Sequence, residues 1–165
     1  ASHSEVGFTV RHLGLSKVRG RFATFDGAIV IAADPLAASV EATVEMDSVD
    51  TNDAQRDGHL RTNEFFDIET FPQMTFVSTG ITAKGGDYEL AGNLTVRGVT
   101  KPVVFALEFG GAGGDPWGGS RIGFSAETEI NRKDFGMEFN MVLDSGGLLV
   151  GEKVKIHLEI EAVKA

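Results

Sequence analysis

KVKIHLEIE, residues 153–161, sets Val154, Ile156, Leu158 and Ile160 between Lys153, Lys155, His157, Glu159 and Glu161. Alternation this strict marks a strand with one dry and one wet face. The same period returns along the chain. Val6, Phe8 and Val10 alternate with polar neighbours, as do Val40, Ala42, Val44 and Met46. Leu90, Leu94 and Val96 repeat the pattern, and so do Ile122, Phe124, Ala126, Thr128 and Ile130. Residues 17–32, 73–83 and 101–110 read as strands with less regular alternation. Eight strands are therefore expected.

The connections carry turn residues, including Asp34-Pro35, Lys84-Gly85-Gly86-Asp87 and Arg97-Gly98. Short turns between consecutive strands predict antiparallel pairing. The glycine run from Gly110 to Gly119 reads as a flexible loop, with Trp117 inside it as a plug for one end of the fold. One helix is expected over Ala54–Arg61, capped by Asn52 or Asp53. Such a meander buries its dry face by stacking two sheets or by closing into a barrel. Polar faces distributed over the whole chain suit one continuous wet exterior. The expectation is an all-β, eight-stranded antiparallel barrel with one short capping helix, forming a single domain over residues 1–165.

A net charge of −9 over 165 residues opposes binding to nucleic acid or recruitment to anionic membranes through a polybasic patch. No apolar run reaches the roughly 20 residues a membrane-spanning helix needs. The absence of cysteine excludes disulfides and thiolate metal sites. The chain opens at Ala1 without a signal-peptide pattern. This favours the cytoplasm over a periplasmic or secreted setting, while the strand-like first residues leave room for an upstream segment. Its four histidines, His3, His12, His59 and His157, include no helical pair at metal-ligand spacing, and no metal, cofactor or catalytic group is expected.

Parity aims Val6, Phe8, Val10, Phe22, Val44, Met46 and Phe76 at the interior, together with Leu94, Val96, Phe105, Phe124, Ala126, Ile156 and Leu158. His12 continues the parity of Val10. It is either satisfied by a backbone carbonyl or an anchor for a ligand head group. Twelve phenylalanines against one tyrosine and one tryptophan make the aromatic surface almost pure hydrocarbon. That composition fits a packed core or an apolar bore. The stretch from Met137 to Val150 is too apolar for a solvated loop and is broken by glycines, so Phe139, Met141 and Leu148 are expected to cover an opening.

Five ordered blocks resemble the YceI-like family of polyisoprenoid-binding proteins over essentially the full chain. They are HSEVGFTVRHLGLSKVRGRF (3–22), SVDTNDAQRDGHLRTNEFFDIETFPQMTF (48–76), LAGNLTVRGVTKPVVF (90–105), GFSAETEINRKDFGM (123–137) and VGEKVKIHLEIEAVK (150–164). The resemblance implies a lipocalin-like barrel whose bore takes an isoprenoid lipid, such as a quinone tail or polyprenyl chain, for carriage, storage or sensing. It implies no catalytic residues. It also makes residues 48–67 a cap at the mouth, with Arg56, His59 and Arg61 available to a head group and Leu60, Phe65 and Phe66 turned inward. A homodimer is compatible with this reading. Two rivals stay open: an enzyme acting on lipid at the mouth, with His12 or His59 as base, and a filled barrel serving as an interaction module.

Overall fold

The computed structural model describes residues 3–165. The strands are β1 (Glu5–His12), β2 (Ser16–Phe22), β3 (Phe25–Val30), β4 (Ser39–Glu45), β5 (Val49–Asp50), β6 (Gln73–Lys84), β7 (Asp87–Val96), β8 (Val99–Gly114), β9 (Ser120–Asn131) and β10 (Val150–Val163). The helix α1 covers Ala54–Arg61, and its N-cap is Asp53, whose carboxylate accepts from the Arg56 N–H at 3.0 Å. All pairings are antiparallel, in the order β3-β4-β6-β7-β8-β9-β10-β1-β2-β5.

Ten strands replace the expected eight, and a bent corner is the reason. The segment read as one strand over 17–32 breaks at Ala23 and Thr24 into β2 and β3. Its partner breaks at the 3₁₀ turn Met46–Ser48, which leaves β5 as a two-residue strand inside the cap segment. The two bent ribbons still pair with each other, β3 with β4 and β2 with β5. Backbone bonds from Ala23 N to Ser48 O and from Glu45 N to Thr24 O carry the pairing around the corner at 3.1 and 3.0 Å. The strands at the two ends of the sheet are thus joined here, closing a curled, lipocalin-like barrel.

The glycine run is a second correction. β8 continues through Gly114 and pairs with β9 as far as Gly114↔Ser120, so only residues 115–119 form the turn. Glycine shows no face to a pattern search, yet its backbone can still pair. Asp115 shapes that turn by accepting from the N–H groups of Trp117 and Gly119, at 3.0 and 2.8 Å. Trp117 projects into solvent, 84% exposed, and plugs nothing.

The dry faces meet in two clusters. One gathers Val6, Phe8, Phe22, Val44, Met46, Val49, Leu94, Val96, Phe135 and Met137. The other centres on Leu90, Phe105 and Ala126. Phe76, Val103, Ile156 and Leu158 pack against both, and Phe76 meets Phe105 edge-on at 5.5 Å. Gly92 leaves room for the Phe76 ring. A Cβ there would lie 2.2 Å from Phe76 Cζ and 2.7 Å from the Val77 carbonyl oxygen. Gly92→Ala is expected to cost about 1–3 kcal/mol of stability through overpacking. An unchanged urea midpoint would show that the ring has other room to move.

Candidate functional site: a half-hollow barrel

The interior is packed around Leu90, Phe105 and Ala126 and hollow near α1. The hollow has a volume of about 240 Å³. Its wall includes Val6, Phe8, Val10 and His12 of β1, Phe22 of β2, Val96 of β7 and Ile156 of β10, with Met46 beneath the corner. The remaining interior residues expected as bore, Val44, Phe76, Leu94, Phe105, Phe124, Ala126 and Leu158, lie outside the hollow. Most belong to the packed clusters, while Phe124 sits beside the half-exposed Phe109, with ring centroids 5.8 Å apart. Parity assigns a residue to the interior but says nothing about how far along the barrel it lies.

The segment 48–67 supplies the cap. Asp57 is buried and accepts from Thr51 N–H and Oγ1–H at 2.9 and 2.6 Å. Arg56 donates through Nε to Thr51 Oγ1 and through Nη2 to Thr51 O, both at 2.7 Å. This network fixes the helix start against β5, and Arg56 lines the hollow. Leu60, Phe65 and Phe66 line it as well. Arg61 does not. It donates to the carbonyls of Asp47 and Val49 and pairs with the Asp47 carboxylate at 2.9 Å, tying the helix end to the corner. That role departs from the head-group contact implied for it: a long arginine at the helix C-terminus finds backbone carbonyls nearer than the cavity.

His59 also lines the hollow, pairing with Glu64 at 2.5 Å. Its ring stands edge-on to Phe65 at 5.0 Å and to Phe139 at 4.8 Å. Phe65 and Phe139 are themselves 5.4 Å apart, so three rings join the cap to the 137–150 segment. His12 is half-buried, and its ring has no hydrogen-bond partner among the described residues. His157 lies on the outer face, 3.3 Å from Glu5 and above Gly7.

The 137–150 segment is pinned at both ends. Asn140 Nδ2 donates to Val150 O, and Val150 N–H donates back to Asn140 Oδ1, at 2.8 and 3.1 Å. Phe139 and Leu149 contribute to the wall. Met141 and Leu148 do not: they are 58% and 39% exposed at the outer part of the loop, beside Val142. The apolar composition of this loop thus divides between a wall and an exposed tip. Residue spacing in an irregular loop carries no periodic signal that could have told the two apart.

Sequence reading missed several wall residues. Ile130 and Val154 had the right parity in plain view, and Met74, Met137 and Val150 are apolar neighbours of assigned positions. Arg132 is the instructive omission. It sits in Arg-Lys-Asp, which reads as a polar turn, but Asn131 caps a 3₁₀ turn over Arg132–Phe135 that folds Arg132 inward to 2% exposure. Its Nε donates to Gly151 O at 2.9 Å, Nη1 to Met137 O at 2.6 Å and Nη2 to Val150 O at 3.3 Å. Arg132 therefore holds both ends of the 137–150 loop.

A closed antiparallel barrel, packed at one end and hollow at the other beneath a helical cap, defines the lipocalin-like class. A YceI-like domain model matches residues 1–162. Protein YceI of Salmonella arizonae is 42% identical over 163 residues, covering 98% of this chain and 82% of that protein. The YceI protein of Campylobacter jejuni superposes with a TM-score of 0.79 at 28% identity, over 94% of this chain and 90% of that one. Two more distant structures share the fold. BcnA of Burkholderia cenocepacia has a TM-score of 0.84 at 24% identity, covering 98% and 97% of the two chains. A polyisoprenoid-binding domain from Saccharophagus degradans, implicated in plant cell wall breakdown, has a TM-score of 0.72 at 17% identity, covering 100% and 95%. The chain belongs to the YceI-like family.

Proposed function

We propose that this protein binds the tail of an isoprenoid lipid, a quinone tail or polyprenyl chain, in the hollow end of its barrel, and acts by carrying, storing or sensing that lipid rather than by turnover. The observation that carries the reading is the hollow itself, walled mainly by Val, Ile, Leu, Met and Phe side chains. A barrel meant only as a solid interaction module would pack both ends, and this one packs one. Family membership and the polyisoprenoid-binding name of a structural neighbour point the same way.

Burying hydrocarbon contributes about 0.8 kcal/mol per methylene-sized group, or roughly 4 kcal/mol for each five-carbon unit. A few units offset an association cost of about 4–15 kcal/mol. The volume of about 240 Å³ lies just below the common range of small-molecule sites, so the hollow takes the first units of a chain and no great length of it.

Affinity should therefore climb steeply with each added isoprene unit and then level off once the hollow is full. Exchanging one neutral head for another should matter less, since a single partly exposed hydrogen bond contributes roughly 0.5–1.5 kcal/mol. Titration with quinones and prenyl alcohols of matched tail lengths measures both slopes, and mass spectrometry of an organic extract identifies any lipid the protein retains. Affinity indifferent to tail length would overturn the proposal.

A further inference from the structure

Five large apolar side chains, Leu13, Leu15, Met141, Val142 and Leu148, are exposed on two loop tips at the hollow end. Backbone bonds hold the tips side by side. Leu13 N–H donates to Leu149 O at 2.9 Å, and Leu149 N–H donates to Met141 O at 3.0 Å. Phe139 and Leu149 line the hollow, so the tips adjoin its wall. Leu15 is 82% exposed and Val142 76%. Leu13, moreover, holds φ at 55°, a left-handed conformation that leucine seldom adopts. Folding alone gives no reason to place two leucines in a turn where Gly or Asn is the default.

Charge is placed just as unevenly. A net charge of −9 opposes contact with an anionic surface for the chain as a whole, yet β1, β2 and β10 separate their signs along the barrel. Glu5, Glu159 and Glu161 lie towards the packed end. Arg11, Lys17 and Arg19 lie towards the hollow end, with Arg11 opposite Lys17 across the hairpin. All three cations are exposed, and none forms an ion pair among the described residues. Their basic neighbours Arg21, Lys153 and Lys155 are paired, with Asp50, Glu129 and Glu127. Asp144 is the only carboxylate between Met141 and Leu148. Arg11 and Glu5 stand roughly 20 Å apart along β1, more than twice the screening length of about 8 Å at physiological ionic strength. The acidic end therefore does little to a surface met by the basic one.

We propose that the hollow end docks on an anionic lipid bilayer, with the apolar tips at 13–15 and 141–148 entering the interface and Arg11, Lys17 and Arg19 meeting its surface charge. Apolar side chains framed by cations suit such a boundary. The leucines leave water, while the long basic side chains keep their charges at head-group level. A second copy fits the same tips less well, because tip-to-tip contact would set Lys17 and Arg19 against their own like charges. Docking sets the hollow against the phase in which an isoprenoid chain dissolves. A tail can then pass between bilayer and barrel without crossing water.

This inference rests on the proposed lipid-binding function, and the test tells their failures apart. Flotation with vesicles of phosphatidylcholine, alone or with a third of phosphatidylglycerol and always free of prenyl lipid, measures docking. Geranylgeraniol titrated without vesicles measures cargo binding, and circular dichroism checks folding. Each Lys or Arg near an anionic surface contributes about fivefold to partitioning, so the anionic vesicles should be preferred by about tenfold or more. Lys17→Gln with Arg19→Gln should remove most of that preference. Leu15→Ser with Val142→Ser should weaken binding to both kinds of vesicle. None of these four residues lines the hollow, so both double variants should bind geranylgeraniol as the wild type does. Equal partitioning onto the two vesicles, weak or strong, would overturn the anionic partner and leave lipid binding standing. Docking by a protein that takes up no geranylgeraniol would overturn the proposed function and leave the membrane surface. A concentration-dependent dimer in sedimentation, abolished by the Leu15 and Val142 substitutions, would give the tips to a second copy and overturn docking.

Discussion

Val96→Asp is expected to abolish uptake of a prenyl chain and to remove roughly 4 kcal/mol or more of stability. Val96 is 3% exposed on β7 and belongs to both the core cluster and the wall of the hollow. A carboxylate at this position meets hydrocarbon on nearly every side. Its folded-state pKa must therefore rise above the unfolded value of about 3.9. The sign of the pH dependence follows. The penalty is fully present above the raised folded pKa, and it is relieved as pH falls through that pKa towards the unfolded one. Val96→Asn supplies the control, because it has nearly the same shape and does not ionise. Chemical denaturation at neutral and mildly acidic pH should separate the two variants at the first and bring them together at the second. A Val96→Asp protein that stays folded at neutral pH and binds a prenyl alcohol normally would place the lipid elsewhere.

Phe105→Ala should have the second-largest effect, and in two directions. The ring is 4% exposed, stacks edge-on against Phe76, and anchors the packed end with Leu90 and Ala126. Truncating a buried phenylalanine costs about 3–5 kcal/mol, part of it for the void left behind. Here the void opens beside Phe76 and Ile156, and Ile156 is also part of the hollow's wall. The variant should be less stable, yet the tail length at which affinity stops rising should move to longer chains. Denaturation and a prenyl-alcohol series measure the two effects independently. A loss of stability with an unchanged plateau would mean that Phe76 and its neighbours collapse into the gap.

Much of the fold was legible because a half-buried strand writes its two faces into alternate positions. The parity of Val154, Ile156 and Leu158 placed β10, and a capping residue at Asn52 or Asp53 announced the helix, with Asp53 taking the role. What escaped was whatever bends or lacks a side chain. The corner at Ala23 and Thr24 bends the ribbon while its backbone pairing runs on, and Gly111 to Gly114 pair through backbone alone. The site was legible in the same measure. Alternation found Phe8, Val10 and Val96, whereas depth along the barrel depends on which distant rings meet, as Phe76 meets Phe105. No local rule could have shown that Arg132, in a run of charges, turns inward to hold backbone carbonyls.

The uneven interior also bears on how such a barrel changes over time. Substitutions around Leu90, Phe105 and Ala126 are answered for in folding, whereas those at Val10, Val18 or Leu149 alter mainly the shape and chemistry of an empty space. The two ends stand under different constraints even though the same strands run through both. A lineage can therefore re-line the hollow for a new cargo while inheriting its foldability unchanged from the other end, and a designer could do the same by leaving the packed end alone.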